Sequence, residues 1–106
     1  MTNLMIVLVT INDKKEAAQL AKKIVGKRLA ACVNIIPDLH SIYEWDGGIQ
    51  DEKELLLIMK TTPQNIAELK EFVEANHPYE VPEFVVLDAA DVSENYLRWV
   101  QKNTLS

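Results

Sequence analysis

SIYEWDGGIQDEKELLLIMKT, residues 41–61, reads as a strand, a tight turn and a second, longer strand. Asp46-Gly47-Gly48 supplies the positive-φ residues that a short hairpin turn requires. The return arm runs from Ile49 to Thr61 and ends in the apolar word Leu55-Leu56-Leu57-Ile58-Met59. On the other side, Ala30 to Ile36 is also strand-like, and Pro37 cannot donate to a ladder, so a bend or bulge is expected there. Each arm is a dozen residues or more, about 40 Å at ~3.3 Å per residue.

Working outward, Leu4 to Val9 is a short apolar run closed by Thr10, expected to be a central strand buried on both faces. Asn12 and Asp13 open a helix, because Asp13 and Glu16 have capping-box spacing and Ala17, Ala21, Ile24 and Val25 recur on one face. Lys22, Lys23, Lys27 and Arg28 suit its C-terminal end. Beyond the hairpin, Thr62-Pro63 has the form of an N-cap and first helical residue, with Ile66, Leu69, Phe72 and Val73 as the stripe and Pro78 marking the end. Phe84 to Leu87 is expected to be a last buried strand. Ser93 caps a terminal helix carrying Tyr96, Leu97, Trp99 and Val100. The order is βαββαβ plus a helix: an α+β, ferredoxin-like antiparallel sheet of four strands with two helices on one face, built as one domain over 1–106.

The first and last strands are only about six residues, roughly 20 Å, so the hairpin overhangs them. An overhanging ribbon is marginal in water, and its free edge, with Tyr43 and Trp45 near the tip, invites association. A closed ring of identical chains removes the free edge; a monomer with a frayed ribbon or a dimer is the plainer outcome.

Composition narrows the function. The chain has 106 residues, 48% hydrophobic and 25% charged, the size and make-up of one globular domain. Eleven Lys and Arg face sixteen Asp and Glu, a net charge of -5, which repels phosphate backbones and anionic lipid. Neither nucleic acid nor a membrane is expected as a partner. Cys32 is the only cysteine, so no internal disulfide forms, and Leu4–Val9 is too short for a signal core or a membrane span. A cytoplasmic protein is expected.

Enzyme readings find no support in the residues. An acylphosphatase needs an arginine and amide-rich loop after the first strand, and Thr10-Ile11-Asn12-Asp13 has neither arginine nor glycine. A metallochaperone would carry Cys-x-x-Cys in that loop. Stacking aromatics on central strands, nucleophile–base words and Gly-rich nucleotide words are also missing.

A few residues carry candidate chemistry. His77 suits copper or zinc as one ligand, with Glu80 and Glu83 nearest in sequence, although a loop histidine bonded to a backbone carbonyl is the plainer reading. Cys32, between Ala31 and Val33, is expected mid-strand as a buried, inert thiol; facing a cleft between protomers it would be a soft donor for Cu(I). Glu52 and Glu54 share a strand face, where paired carboxylates can hold Ca²⁺, Mg²⁺ or Mn²⁺ or do acid–base work, although solvated strand ends, here with Asp51, usually look the same. Lys60, with Thr61 and Thr62, could receive an anion, and with Tyr43, Trp45 and Tyr79 could line an inter-subunit cleft. Interface packing by the aromatics and a surface ion pair for Lys60 explain the same residues.

Five words occur in order: Arg28-Leu29-Ala30-Ala31-Cys32-Val33-Asn34; Ser41-Ile42-Tyr43-Glu44-Trp45 with Gly48-Ile49; Leu57-Ile58-Met59-Lys60-Thr61; His77-Pro78-Tyr79-Glu80-Val81-Pro82-Glu83; and Tyr96-Leu97-Arg98-Trp99. Together they resemble the CutA family of divalent-cation tolerance proteins, over nearly the whole chain. The resemblance implies a ferredoxin-like protomer, a homotrimer built by the long hairpins and distantly like PII-type signalling proteins, cytoplasmic residence, and a non-enzymatic role in the response to heavy metals, copper above all. It also implies copper binding by a cysteine at the end of the first strand and by paired histidines. Here those positions read Val9 and Asn76-His77, so of these only His77 matches. The alternative is a PII-like signalling or scaffold trimer whose clefts take a small anion or a partner protein.

Overall fold

The computed structural model describes residues 2–105; Met1 and Ser106, the ends of the expected 1–106 domain, lie outside the described residues. Strands β1 (Met5–Ile11), β2 (Cys32–Trp45), β3 (Gly48–Thr61) and β4 (Val85–Asp88) alternate with helices α1 (Lys14–Gly26) and α2 (Ile66–Asn76), and α3 (Glu94–Lys102) ends the chain. The antiparallel sheet has the order β2-β3-β1-β4. Among the described residues no helix is long and apolar enough to cross a membrane.

The hairpin turns on Asp46 (φ 53°) and Gly47 (φ 80°), with Trp45 paired to Gly48. Two successive positive φ values are those of the turn whose twist matches the strands, so Gly48, expected in the turn, is already strand. Ile36 faces Leu56 while Leu39 faces Glu54, so β2 gains one residue, a bulge at Pro37-Asp38 with Asp38 left-handed. β1 pairs with β3 only over Leu55–Thr61. Gly48–Glu54 therefore pairs with β2 alone and extends about 23 Å past the sheet at ~3.3 Å per residue. Ile42 and Ile49 on this ribbon are 70% and 75% exposed.

Alternation along the strands separates two faces. Val7, Val9, Ile11, Leu55, Leu57 and Met59 pack against Ala17, Leu20 and Ile24 of α1 and Leu69 and Val73 of α2 as one core. The opposite face carries Ile6, Leu8, Leu56 and Ile58, only half-buried, with Val85 and Leu87 exposed beside them. α3 covers one end, where Val100 packs with Leu4 and Ala31.

Several expectations need correction. β1 starts and ends later than Leu4–Val9, because Thr10 and Ile11 pair with Leu56 and Leu55, and only one of its faces is buried within the protomer. β4 is an edge strand with all four residues exposed, whereas Phe84, expected in it, precedes it and packs against the core. In α1 the buried stripe uses Leu20, and Val25 is exposed. Cys32 opens β2 on a sheet edge and is half-buried, rather than mid-strand and buried. Asp13 caps α1 through its side chain to the Glu16 N–H at 2.9 Å, but Ser93 and Thr62 hold N-cap positions without such a bond, and Pro63–Asn65 is a 3₁₀ turn.

Leu57 has no exposed surface, so Leu57→Ala should cost about 2–5 kcal/mol of unfolding free energy. Val25→Ala should stay within about 0.5 kcal/mol. Urea denaturation at one fixed protomer concentration measures both; equal losses would contradict this assignment of the core.

Candidate functional site

β4 pairs with β1 only over Met5–Leu8, which leaves the β1 edge at Thr10 without a strand. His77, the C-cap of α2, fills that gap. Its Nε2 lies 2.7 Å from the Thr10 carbonyl, which can only accept, so Nε2 carries the hydrogen. Nδ1 then has the lone pair and accepts the Tyr79 N–H at 3.1 Å. The ring is buried, both nitrogens are committed to main chain, and Tyr79 stands edge-on to it with centroids 4.5 Å apart.

This clasp sets the Tyr79 ring against the base of the ribbon, where its hydroxyl donates to Glu54 Oε2 at 2.5 Å. Two residues along the same face, Glu52 accepts from the Tyr43 hydroxyl at 2.8 Å. A cavity of about 830 Å³ opens between ribbon and loop, walled by Tyr43, Trp45 and Tyr79 and lined by the carboxylates of Asp46, Glu52, Glu54, Glu80 and Glu83. No lysine, arginine or histidine lines it. Burial, the bond to Glu54 and the surrounding charges push the Tyr79 phenol well up; the bond to Glu52 pushes Tyr43 up. Partial burial, then the charge of Glu54, raises the Glu83 carboxyl.

The structure thus brings Tyr43, Trp45, Tyr79 and Glu80 to one cleft and puts Lys60 and Cys32 elsewhere. Those two are cross-strand partners at the far end of β2 and β3, eight residues along β3 from Glu52, roughly 26 Å at ~3.3 Å per residue. The Lys60 ammonium bonds Asn34 Oδ1. The cleft within a protomer is anionic, so the expected anion site with Lys60 is not formed there. Glu54, weighed with Glu52 as a carboxylate pair, and Glu83, weighed as a neighbour of His77, are the residues whose placement matters most; contact of Glu54 with Tyr79 across 25 positions leaves no local signal.

For copper the donor set does not fit within a protomer. His77 has no free nitrogen, Cys32 is remote, and the cleft offers carboxylate and hydroxyl oxygens, which suit hard cations. Among the described residues no three His, Cys, Asp or Glu side chains converge to hold a metal ion.

All three tyrosines are raised, Tyr96 by burial and then by Cys32. For an acid raised by folding, the stabilising contribution is complete below the ordinary tyrosine value, about 10, and is lost as pH rises through the raised one. Phenolate absorbance of the native protein should therefore lag the urea-unfolded chain on alkaline titration, with Tyr79→Phe removing the latest step. Superimposed curves would refute the two tyrosine–carboxylate bonds.

Comparison with known proteins gives a consistent answer. A family model described as "CutA1 divalent ion tolerance protein" matches residues 5–103. The divalent-cation tolerance protein CutA of Thermus thermophilus is 48% identical over 99 residues, covering 93% of this chain and 96% of the relative. The chloroplastic CutA of Arabidopsis thaliana is 43% identical over 93% of this chain, which spans 54% of that longer relative. Among solved structures, the Thermus thermophilus protein superimposes with a TM-score of 0.92 at 48% identity, covering 95% of this chain and 98% of that one. CutA1 from Oryza sativa gives 0.95 at 39% identity, covering 98% and 95%. The matched segment takes in every strand and helix from β1 to α3, and the chain belongs to the CutA1 divalent ion tolerance family.

Proposed function

We infer that the chain works as a cytoplasmic homotrimer, without catalytic activity, in tolerance to divalent cations, and that it binds such ions weakly at the acidic cleft. The observation that carries the assembly is the uncovered apolar face of Ile6, Leu8, Leu56 and Ile58, continued by exposed Val85 and Leu87 on a bare edge. A sheet with two apolar faces and one layer of helices needs a second layer. Identical chains supply it when the sheets turn inward around a closed axis, and the overhanging ribbons then reach the neighbours. The number three follows the family resemblance.

A binding role fits the cleft better than catalysis does. His77 has both ring nitrogens bonded to main chain and no lone pair to take a substrate proton. Glu80 stands exposed at the cleft, on the loop that His77 holds down, so Glu80 offers oxygen to the ion while His77 fixes the loop. A cation held by three or more donors would draw the rest from rearranged cleft carboxylates or a neighbouring subunit.

Light scattering at micromolar concentration should give three times the 12.0 kDa protomer mass. Ile58→Lys or Leu8→Lys should shift it towards the monomer, and an unchanged mass in both would sink the inward-facing sheet. For the ion, equilibrium dialysis should give a dissociation constant for Mn²⁺ or Zn²⁺ on the order of 0.1 mM, in the range of weak carboxylate modules. Glu80→Gln should weaken it several-fold. Nitrogen hyperfine structure in the paramagnetic resonance of Cu²⁺-loaded protein, lost in His77→Ala, would instead make His77 a direct ligand.

A further inference from the structure

One carboxylate at the base of the ribbon stands without a cationic side chain beside it among the described residues. Glu54 is 6% exposed, yet its carboxylate has no cationic partner: the ion pairs among the described residues are His40–Asp51 and Arg98–Glu94, both on the surface. Oε2 takes the Tyr79 hydroxyl, while no described residue donates to Oε1, on a side chain that lines the cavity. No buried side-chain oxygen among the described residues lacks a partner, so the second oxygen of Glu54 opens on the cavity, where a cation can reach it.

The surroundings repeat the sign. Five of the chain's sixteen acidic residues line this cavity and none of its eleven Lys and Arg does. The other eleven acids equal the bases in number, so the cleft carries a charge equal to the whole net charge of -5. Carboxylates alone would suit a metal ion, but about 830 Å³ is the scale of an organic ligand, and the walls are aromatic. Tyr43, Trp45 and Tyr79 present π surface, which attracts an ammonium group and covers the alkyl chain attached to it.

We propose that the cleft at the base of the ribbon is a binding site for an organic ammonium ion of the alkylamine or alkyldiamine class, one ammonium resting on Glu54 and Glu52 and the alkyl chain lying against Tyr43, Trp45 and Tyr79. Glu83, on the loop that closes the cleft, takes the second ammonium of a diamine. The divalent-ion reading turns on Glu80, whereas this one turns on Glu54 and Trp45, so each can fail alone.

The chain has two tryptophans, and Trp99 lies on α3 away from the cleft, so Trp99→Phe leaves Trp45 as the sole reporter. In that full-length protein, 1,4-diaminobutane should change Trp45 emission saturably, one site per protomer, below about 10 mM. n-Butylammonium should bind more weakly and 1-butanol should give no saturable change. Glu54→Gln should weaken the diamine by about ten-fold or more. Glu52→Gln, on a less buried side chain, should weaken it several-fold and covers the case in which Glu54→Gln does not fold, judged by circular dichroism and light scattering. Absence of a saturable response to diamine overturns the proposal, as does wild-type affinity in Glu52→Gln. Binding by the Ile58→Lys protomer alone also overturns it, because the cleft is then filled by a neighbour's cationic side chain in the assembly. Mn²⁺ dialysis on the same samples reports separately on the metal.

Discussion

The structure depends on one mismatch of length. β3 has 14 residues and pairs with β2 from Gly48 to Lys60, broken only at the bulge opposite Leu55, but β1 can pair with only seven of them. The inner half of β3 is the centre of the core, where Leu55, Leu57 and Met59 meet both helices. The outer half is a two-stranded ribbon that meets water over most of its length and the Tyr79 loop at its base. One strand thus serves both the core and the overhanging ribbon, and the change comes at Glu54-Leu55, where β1 stops.

That transition creates the cleft. A ribbon leaving a sheet opens an angle between itself and whatever follows the last central strand, and here the loop after α2 closes it. The closure is polar because the sheet ends unevenly: β4 stops short, Thr10 is left with a free carbonyl, and His77 takes it from 67 positions away. Anchoring His77 fixes Tyr79, and Tyr79 fixes Glu54, so one chain of hydrogen bonds runs from a strand edge to a buried carboxylate. The acid at its end is held in place by the phenol and has no cationic side chain beside it among the described residues.

Much of the fold was legible because local rules fixed it. Asp46-Gly47 admits the turn its φ values show, Pro37 sits in the bulge it forces, and the Asp13 side chain caps where its spacing with Glu16 requires. The errors share a cause. Val85-Val86-Leu87 and the even residues of β1 read as buried because apolar runs report that something covers them, without saying whether the cover belongs to the same chain. At the site, Tyr43, Trp45 and Tyr79 could be grouped as one cleft. Lys60 lies at the far end of β3 from them within a protomer, so only a neighbouring subunit could bring it to the same cleft. The Glu54–Tyr79 and His77–Thr10 contacts join distant segments through side chains and carry no periodicity to find.

The donor chemistry of the protomer bears on what metal tolerance can mean for this chain. Position 9, where the resemblance implies a cysteine, is a valine with no exposed surface, packed among the helices and paired with Leu57. Even a thiol there would face the core and not the cleft. The actual cysteine sits at the opposite end of the ribbon strand, beside Lys60 and near Tyr96. The thiol of Cys32 and the imidazole of His77 are thereby kept apart from the cleft carboxylates, and the exposed imidazole, His40, pairs with Asp51 on the ribbon outside the cleft. Soft ions gain little from oxygen alone, whereas hard divalent ions and ammonium groups gain from the same negative field at modest affinity. On the proposed reading such a protein meets a cation as a charge of a given size, and the shape of its aromatic walls, more than any coordination geometry, decides which cations stay.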